Sequence, residues 1–435
     1  ANPGIAFVVV LHLSPSHESQ LVGVLQRVTS LDVVPCREGA ELKRDCIYVI
    51  PPAAMVRING KRLSVAEPSS DFERRHPVDA LFQSVAEQRK ADAVCIVLSG
   101  SGSNGSAGAQ HVRMVDGIVI AQDPATAEHA EMPRNIIVAG LADQVLAPED
   151  IPGVLIGITR RSRTLVGGRA PLQSADSGHF NEILSILRVR GRHNFTPYKT
   201  TTIVRRILRR MGLNQIGTLE DYARKLDGSP GEVDALVADL LINVTSFFRD
   251  AEAWRFLESE VVAPLVDSRQ AGDSIRAWTT ACSTGEEAYS LAMALLQRIE
   301  DMDKQIDLKV FATDPAHQAL ARARAGVFAD SIAETIPRER LERFFDKEDS
   351  HYRAKKSLRE AVIFAPQNLL ADPPFSRLDV VTCRNLLIYL EPEVQKRVIG
   401  LLHFALREGG HLFLGSAESV GDTSTLFEPV SKKWR

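Results

Sequence analysis

Arg276-Ala-Trp-Thr-Thr-Ala-Cys-Ser-Thr-Gly-Glu-Glu-Ala-Tyr-Ser290 reads as a short strand, a turn of small residues and a helix that opens on two carboxylates. Further on, a second apolar run, Leu308-Lys-Val-Phe-Ala-Thr-Asp314, ends on an acid. A glycine turn lets a ligand approach the backbone, and an acid closing the next strand can accept ribose hydroxyls. A pyrophosphate-binding helix start would avoid carboxylates, because the positive helix end must face the anion. Glu286 and Glu287 occupy that position here. The pattern therefore predicts a cationic or zwitterionic ligand, and S-adenosylmethionine fits. The alternative is an ordinary helix start whose acids favour the dipole.

Working outward, strand and helix patterns alternate from residue 275 onward. Residues 178–268 carry apolar residues at spacings of three and four throughout, which predicts helices. Residues 160–177 are rich in Gly, Ser and Arg without periodicity and read as a linker. Before them, strand-like runs at 6–11, 46–50, 93–98, 117–121 and 144–146 alternate with helical patterns at 18–28, 77–90 and 107–115. The expected class is α/β: a wound α/β domain over 1–159, the linker, a small all-helical domain over 178–268 and a Rossmann-like domain over 269–435.

A chain of 435 residues suits two or three such domains. The net charge of −3 argues against bulk nucleic-acid binding. Five cysteines are scattered with no Cys-x-x-Cys pair, so neither a disulfide framework nor a metal site is expected. No apolar run approaches the roughly 20 residues of a membrane helix, and no signal peptide is visible. The expectation is a cytoplasmic protein without membrane insertion. Residue 1 is not Met and the chain stops at Lys433-Trp-Arg435, which reads as an excised segment of a larger protein.

Residues from about 178 onward resemble the chemotaxis receptor methyltransferase (CheR) family. The resemblance rests on Leu241-Ile-Asn-Val-Thr-Ser-Phe-Phe-Arg-Asp250, Cys282-Ser-Thr-Gly-Glu-Glu287, Phe311-Ala-Thr-Asp314, Gln367-Asn-Leu-Leu370 and Cys383-Arg-Asn-Leu-Leu-Ile-Tyr389, in family order. It implies S-adenosylmethionine as cofactor, S-adenosylhomocysteine as product and O-methylation of glutamate side chains in receptor-type proteins. By motif, Asn243, Thr245 and Arg249 would touch the cofactor from the helical side. Glu286 would face the methionine ammonium or the sulfonium, and Asp314 the ribose diol. Asn368 and Leu369 would frame the adenine, Asn385 and Leu386 would lie beneath the methionine moiety, and Arg249 and Tyr389 would shape the transfer site. Plain readings stand beside these: helix caps for Asn243, Thr245 and Asp314, a surface ion pair for Arg249, turns for Asn368 and Asn385.

Between Arg188 and Leu219 there are Lys and Arg residues but no Asp or Glu. Val204, Ile207, Leu208 and Met211 mark one helix face, and Arg205, Arg206, Arg209 and Arg210 form a row on the other. By resemblance this row would read the acidic cytoplasmic coiled coil of a chemoreceptor. A solvated charged face and phosphate contact are the alternatives, but no interleaved aromatics support nucleic acid. Residues 327–365 resemble the family's β insert; the stretch 345–353 is short and lacks glycine, which predicts a type that needs no tethering peptide.

Residues 5–160 resemble the receptor methylesterase (CheB) domain, on Val8-Val-Val-Leu-His-Leu-Ser-Pro-Ser-His17, Leu98-Ser-Gly-Ser-Gly-Ser-Asn-Gly-Ser106, Gln122-Asp-Pro-Ala-Thr126 and Met132-Pro-Arg134. His12 falls on the histidine of that family's Ser–His–Asp triad, while the acid's position is Asn104. The nucleophilic serine belongs upstream of residue 1, and Ser101 replaces a methionine near the oxyanion. An amide in place of the triad acid cannot stabilise the imidazolium; in a serine protease this change costs about 10⁴ in rate. The expected role is a regulatory or docking module without esterase activity. The rival functions are a cofactor-binding scaffold without turnover, and an esterase or deamidase active only in a longer chain.

Overall fold

The computed structural model describes residues 4–11, 20–69, 71–166, 176–242, 244–348 and 351–434. By its contacts the chain forms two compact units. The first comprises Ala1–Ala170 together with Arg209–Gly217 and Ala329–Ser331; the second comprises Pro171–Leu208, Thr218–Phe328 and Ile332–Arg435.

The first unit contains β1 (Ala6–Val9), β2 (Asp32–Pro35), β3 (Cys46–Val49), β4 (Met55–Asn59), β5 (Arg62–Ala66), β6 (Val94–Val97), β7 (Ile118–Gln122) and β8 (Gln144–Leu146). Two parallel sheets run in the orders β1-β3-β2 and β6-β7-β8. All five residues of β7 are buried, as an apolar run in a parallel sheet with both faces covered demands. The β4–β5 hairpin, which the periodicity did not predict, turns at Gly60-Lys61, with Gly60 at φ +59°. The expected linker is shorter than 160–177. A helix, Ile151–Val166, runs into it: Ile151, Val154, Leu155 and Ile158 pack at helical spacing and carry the helix through Gly153 and Gly157.

The helices of the following segment are Asp176–Val189, Thr200–Leu213, Leu219–Gly228 and Pro230–Leu241, all in the second unit except the end of Thr200–Leu213 from Arg209 on. Their starts follow from local chemistry: the Thr218 side chain accepts from the Asp221 N–H, and Ser229 accepts from Glu232 with Pro230 in the first turn. The strands that follow are β9 (Ser274–Thr280), β10 (Asp307–Asp314), β11 (Val327–Ala329), β12 (Phe345–Glu348), β13 (His351–Ala354), β14 (Val362–Pro366), β15 (Leu378–Cys383) and β16 (Leu406–Leu414). Five of them form one parallel sheet, β14-β10-β9-β15-β16. The chain thus starts at the centre and winds to both edges, which creates a crevice at the carboxyl ends of β9, β10 and β15. The helix Glu286–Asp301 packs on one face, with Leu291, Ala292, Met293 and Leu295 fully covered. Strands β11, β13 and β12 make the expected small insert; the β12–β13 hairpin pairs Glu348 with His351.

Candidate functional site

The turn that closes β9 is pinned to the end of β10. The Cys282 N–H donates to the Thr313 carbonyl (2.9 Å) and the Ser283 N–H to Asp314 Oδ2 (2.9 Å). Asp314 Oδ1 accepts from the Ala316 N–H (2.8 Å). Asp314 thus closes the local turn and also presents a buried carboxylate to the crevice; burial pushes its pKa up to about 6, against the pull of those two N–H donors. Glu286 is buried behind Gly285, and burial raises it to about 7 although Thr284 Oγ1 donates to it (2.6 Å) and the Arg322 charge opposes the rise. Two carboxylates held this close to neutrality favour a ligand that brings a cation and hydroxyl donors.

Glu287 is also raised, first by burial; Arg384 is the largest opposing influence, then the Thr382 hydroxyl (2.6 Å), with the Arg249 charge adding to these. Arg249 is half-buried and lies between Phe248 (φ +47°) and Asp250 (φ +63°). Ala281 (φ +49°), Ser283 (φ +52°) and Asn385 (φ +58°) are likewise left-handed, so strained backbone gathers in the loops of the predicted site. Asn385 and Leu387 donate their N–H groups to Glu418 (2.8 and 2.7 Å), which also takes the Gly415 N–H (2.8 Å). Leu386 and Tyr389 are half-buried on the same loop, and the Tyr389 carbonyl accepts from the Lys199 N–H (2.8 Å). Asn368 Oδ1 caps Leu370 (3.0 Å), the turn role weighed above, while Leu369 packs among Trp278 and Leu387. Thr245 is half-buried; Asn243 lies outside the described residues.

Several members of this site carried no sequence signal. Glu418 follows β16 in a turn that carries no motif, and Arg384 lies within Cys383–Tyr389 at a position for which the motif implies no role. From the helical segment, Tyr198 bridges to Leu390 and faces Asp314, whose charge adds to burial in pushing the phenol up to about 12. Among the described residues no group of three His, Cys, Asp or Glu side chains could hold a metal.

The arginine row needs correction. Arg205 is exposed and Arg210 half-buried, but Arg206 and Arg209 are buried. The buried face of the helix is wider than the apolar stripe, because Thr202 and Arg206 join Ile203 and Ile207 on it. Arg209 pairs with Asp143 and donates to the Gly117 carbonyl (3.2 Å), within the first unit. In that unit Asn104 works as a backbone brace: its Nδ2 donates to the Arg75 carbonyl (3.0 Å) and its Oδ1 accepts from the Asp79 N–H (3.3 Å). His12 lies outside the described residues.

A wound parallel sheet with a glycine turn after its first strand and a buried acid ending its second defines a Rossmann-like nucleotide-cofactor domain. Comparison with family models agrees: residues 243–435 match the CheR methyltransferase SAM-binding domain, 178–241 its all-alpha domain and 1–155 the CheB methylesterase. The chain is 31% identical over 239 residues to chemotaxis protein methyltransferase 2 of Vibrio cholerae, covering 54% of this chain and 82% of that protein. It is 38% identical over 438 residues to an uncharacterized 104.1 kDa protein of Rhodobacter capsulatus, covering 95% of this chain but only 46% of that protein's length. A crystal structure of the Thermotoga maritima CheB methylesterase catalytic domain matches 35% of this chain and 82% of that chain, at 28% identity and a TM-score of 0.33. The chain belongs to the CheR methyltransferase family, with a CheB-type domain preceding the CheR-type domains.

Proposed function

We propose that this chain transfers a methyl group from S-adenosylmethionine to glutamate side chains of a chemoreceptor-type protein. The reading is carried by the pair of buried carboxylates, Glu286 and Asp314, at the carboxyl ends of adjacent parallel strands, beside the half-buried Arg249. The cofactor supplies a methyl already activated on a sulfonium. Glu286 takes the ammonium and Asp314 the ribose diol; Leu369 and Asn368 frame the adenine, and Asn243, Thr245, Asn385 and Leu386 complete the cradle. Arg249 and Tyr389 orient the acceptor. A glutamate acceptor is already ionised near neutrality, so the chemistry needs alignment, exclusion of water and electrostatic complementarity rather than a general base. On the substrate side, Arg205 and Arg210 remain as the arginines of the row that could meet an acidic coiled coil. The brace made by Asn104 supports a CheB-type domain that regulates or docks rather than hydrolyses.

The test is calorimetric titration with S-adenosylmethionine and S-adenosylhomocysteine, on the wild-type chain and on Asp314→Asn, followed by transfer of labelled methyl to receptor cytoplasmic fragments. Asp314→Asn retains an acceptor oxygen for the turn but removes the charge. Micromolar binding that weakens at least about tenfold in the variant, equivalent to about 1.4 kcal/mol, is expected. A folded wild-type chain that binds neither compound overturns the reading.

A further inference from the structure

We propose that Arg384 is a positioning residue of this site: it holds the loop 248–250, and Arg249 with it, against the carboxyl end of the sheet. The inference rests on the cofactor reading given above.

Arg384 follows β15 directly, and its side chain is 1% exposed. Nη2 donates to Asp250 Oδ2 at 2.7 Å, and Nη1 lies 3.7 Å from Glu287 Oε2. The guanidinium carbon sits 4.6 Å from the ring centre of Phe413 and 5.8 Å from that of Trp254. Nε and Nη1 make no hydrogen bond. The one hydrogen bond this buried cation makes to a carboxylate is therefore directed at the residue next to Arg249.

The other side of the loop is tied as well. The Phe248 N–H donates to Ser290 Oγ (3.0 Å), and the Phe248 ring meets Trp254 edge-on at 5.6 Å. Phe248 and Asp250 are both left-handed, a conformation that persists only where the surroundings impose it. Arg249 is thus suspended between two anchors, one polar contact to the helix Glu286–Asp301 and one ion pair to Arg384. Filling the space between Trp254 and Phe413 alone would need only an apolar side chain. A planar guanidinium adds direction, because its fork fixes the carboxylate that it holds. The charge of the same cation, more than that of Arg249, offsets the burial of Glu287, whose Oε1 accepts from the Thr382 hydroxyl (2.6 Å). Arg249 is thereby kept for the ligand.

The experiment is S-adenosylhomocysteine titration of the full chain carrying Arg249→Ala, Asp250→Asn, Arg384→Lys, and the double variant Arg249→Ala/Asp250→Asn. The Asp250 side chain is 37% exposed, so its amide variant keeps the fold even where a change at Arg384 does not. Each single variant at 249 and 250 is expected to weaken binding about tenfold, and the double variant to be no weaker than Arg249→Ala alone, because the anchor acts through Arg249. Arg384→Lys should retain part of the affinity by keeping the charge. Losses that multiply in the double variant overturn the proposal, since a purely structural change adds independently. Wild-type binding with Asp250→Asn indistinguishable from it overturns this inference alone; a wild-type chain that binds nothing overturns the functional reading as well.

Discussion

Glu286 and Asp314 illustrate how residue identity and burial divide the work. Their types and spacing are visible in the chain, but the burial that raises them to about 7 and about 6 exists only in the folded molecule. The sign follows from linkage. Each native pKa lies above the ordinary value for its carboxyl group, so the native state holds protons that the unfolded chain has lost. The stabilisation from this source is complete below the unfolded value and disappears as pH rises through the native one. A bound ammonium favours ionised Glu286, so affinity for S-adenosylhomocysteine should rise by up to about tenfold between pH 6 and 8. Glu286→Gln should flatten that dependence in calorimetric titrations. Asn104 makes the opposite point. The resemblance implies an acid at its motif position, yet the amide present donates to the Arg75 carbonyl as an aspartate could not. Asn104→Asp should lower the stability of the first unit by about 1 kcal/mol, measured by denaturant melting, and should not by itself produce ester hydrolysis.

At the scale of elements, the turn from β9 into the helix Glu286–Asp301 was legible because glycine and small residues announce a backbone that side chains would obstruct. Gly285 confirms it with φ +97° and with Ala323 Cβ 2.9 Å and Phe364 3.1 Å from where a Cβ would stand. Gly285→Ala should cost about 1–3 kcal/mol and lower the melting temperature of the second unit by roughly 5 °C. The helix Thr200–Leu213 was legible as a helix but not in its facing. Apolar spacing cannot show that Arg206 and Arg209 are covered, because burial of a cation depends on a partner distant in sequence, Asp143 in the case of Arg209. The same limit hid the continuation of Ile151–Val166 through the polar stretch assigned to a linker.

At the scale of the molecule, two compact units imply two cooperative transitions. Differential scanning calorimetry should resolve them, and S-adenosylhomocysteine should raise only the transition of the second unit, by about 2.7 kcal/mol at a hundredfold excess over Kd. A single transition shifted as a whole would show that the units unfold together. No helix among the described residues is long and apolar enough to cross a membrane.

The order of motifs from Asn243 to Tyr389, the alternation of strand and helix and the amide at position 104 were set by the linear chain, because backbone conformation and local hydrogen bonding act over a few residues. The identity of the groups that hold those motifs in place was decided only by folding. Glu418 gathers three N–H groups from two loops, Arg384 ties β15 to the loop carrying Arg249, and Tyr198 reaches Asp314 from the helical segment. These are interactions between residues far apart in sequence, and their strength comes from desolvation that exists only once the sheet and its helices have closed around them.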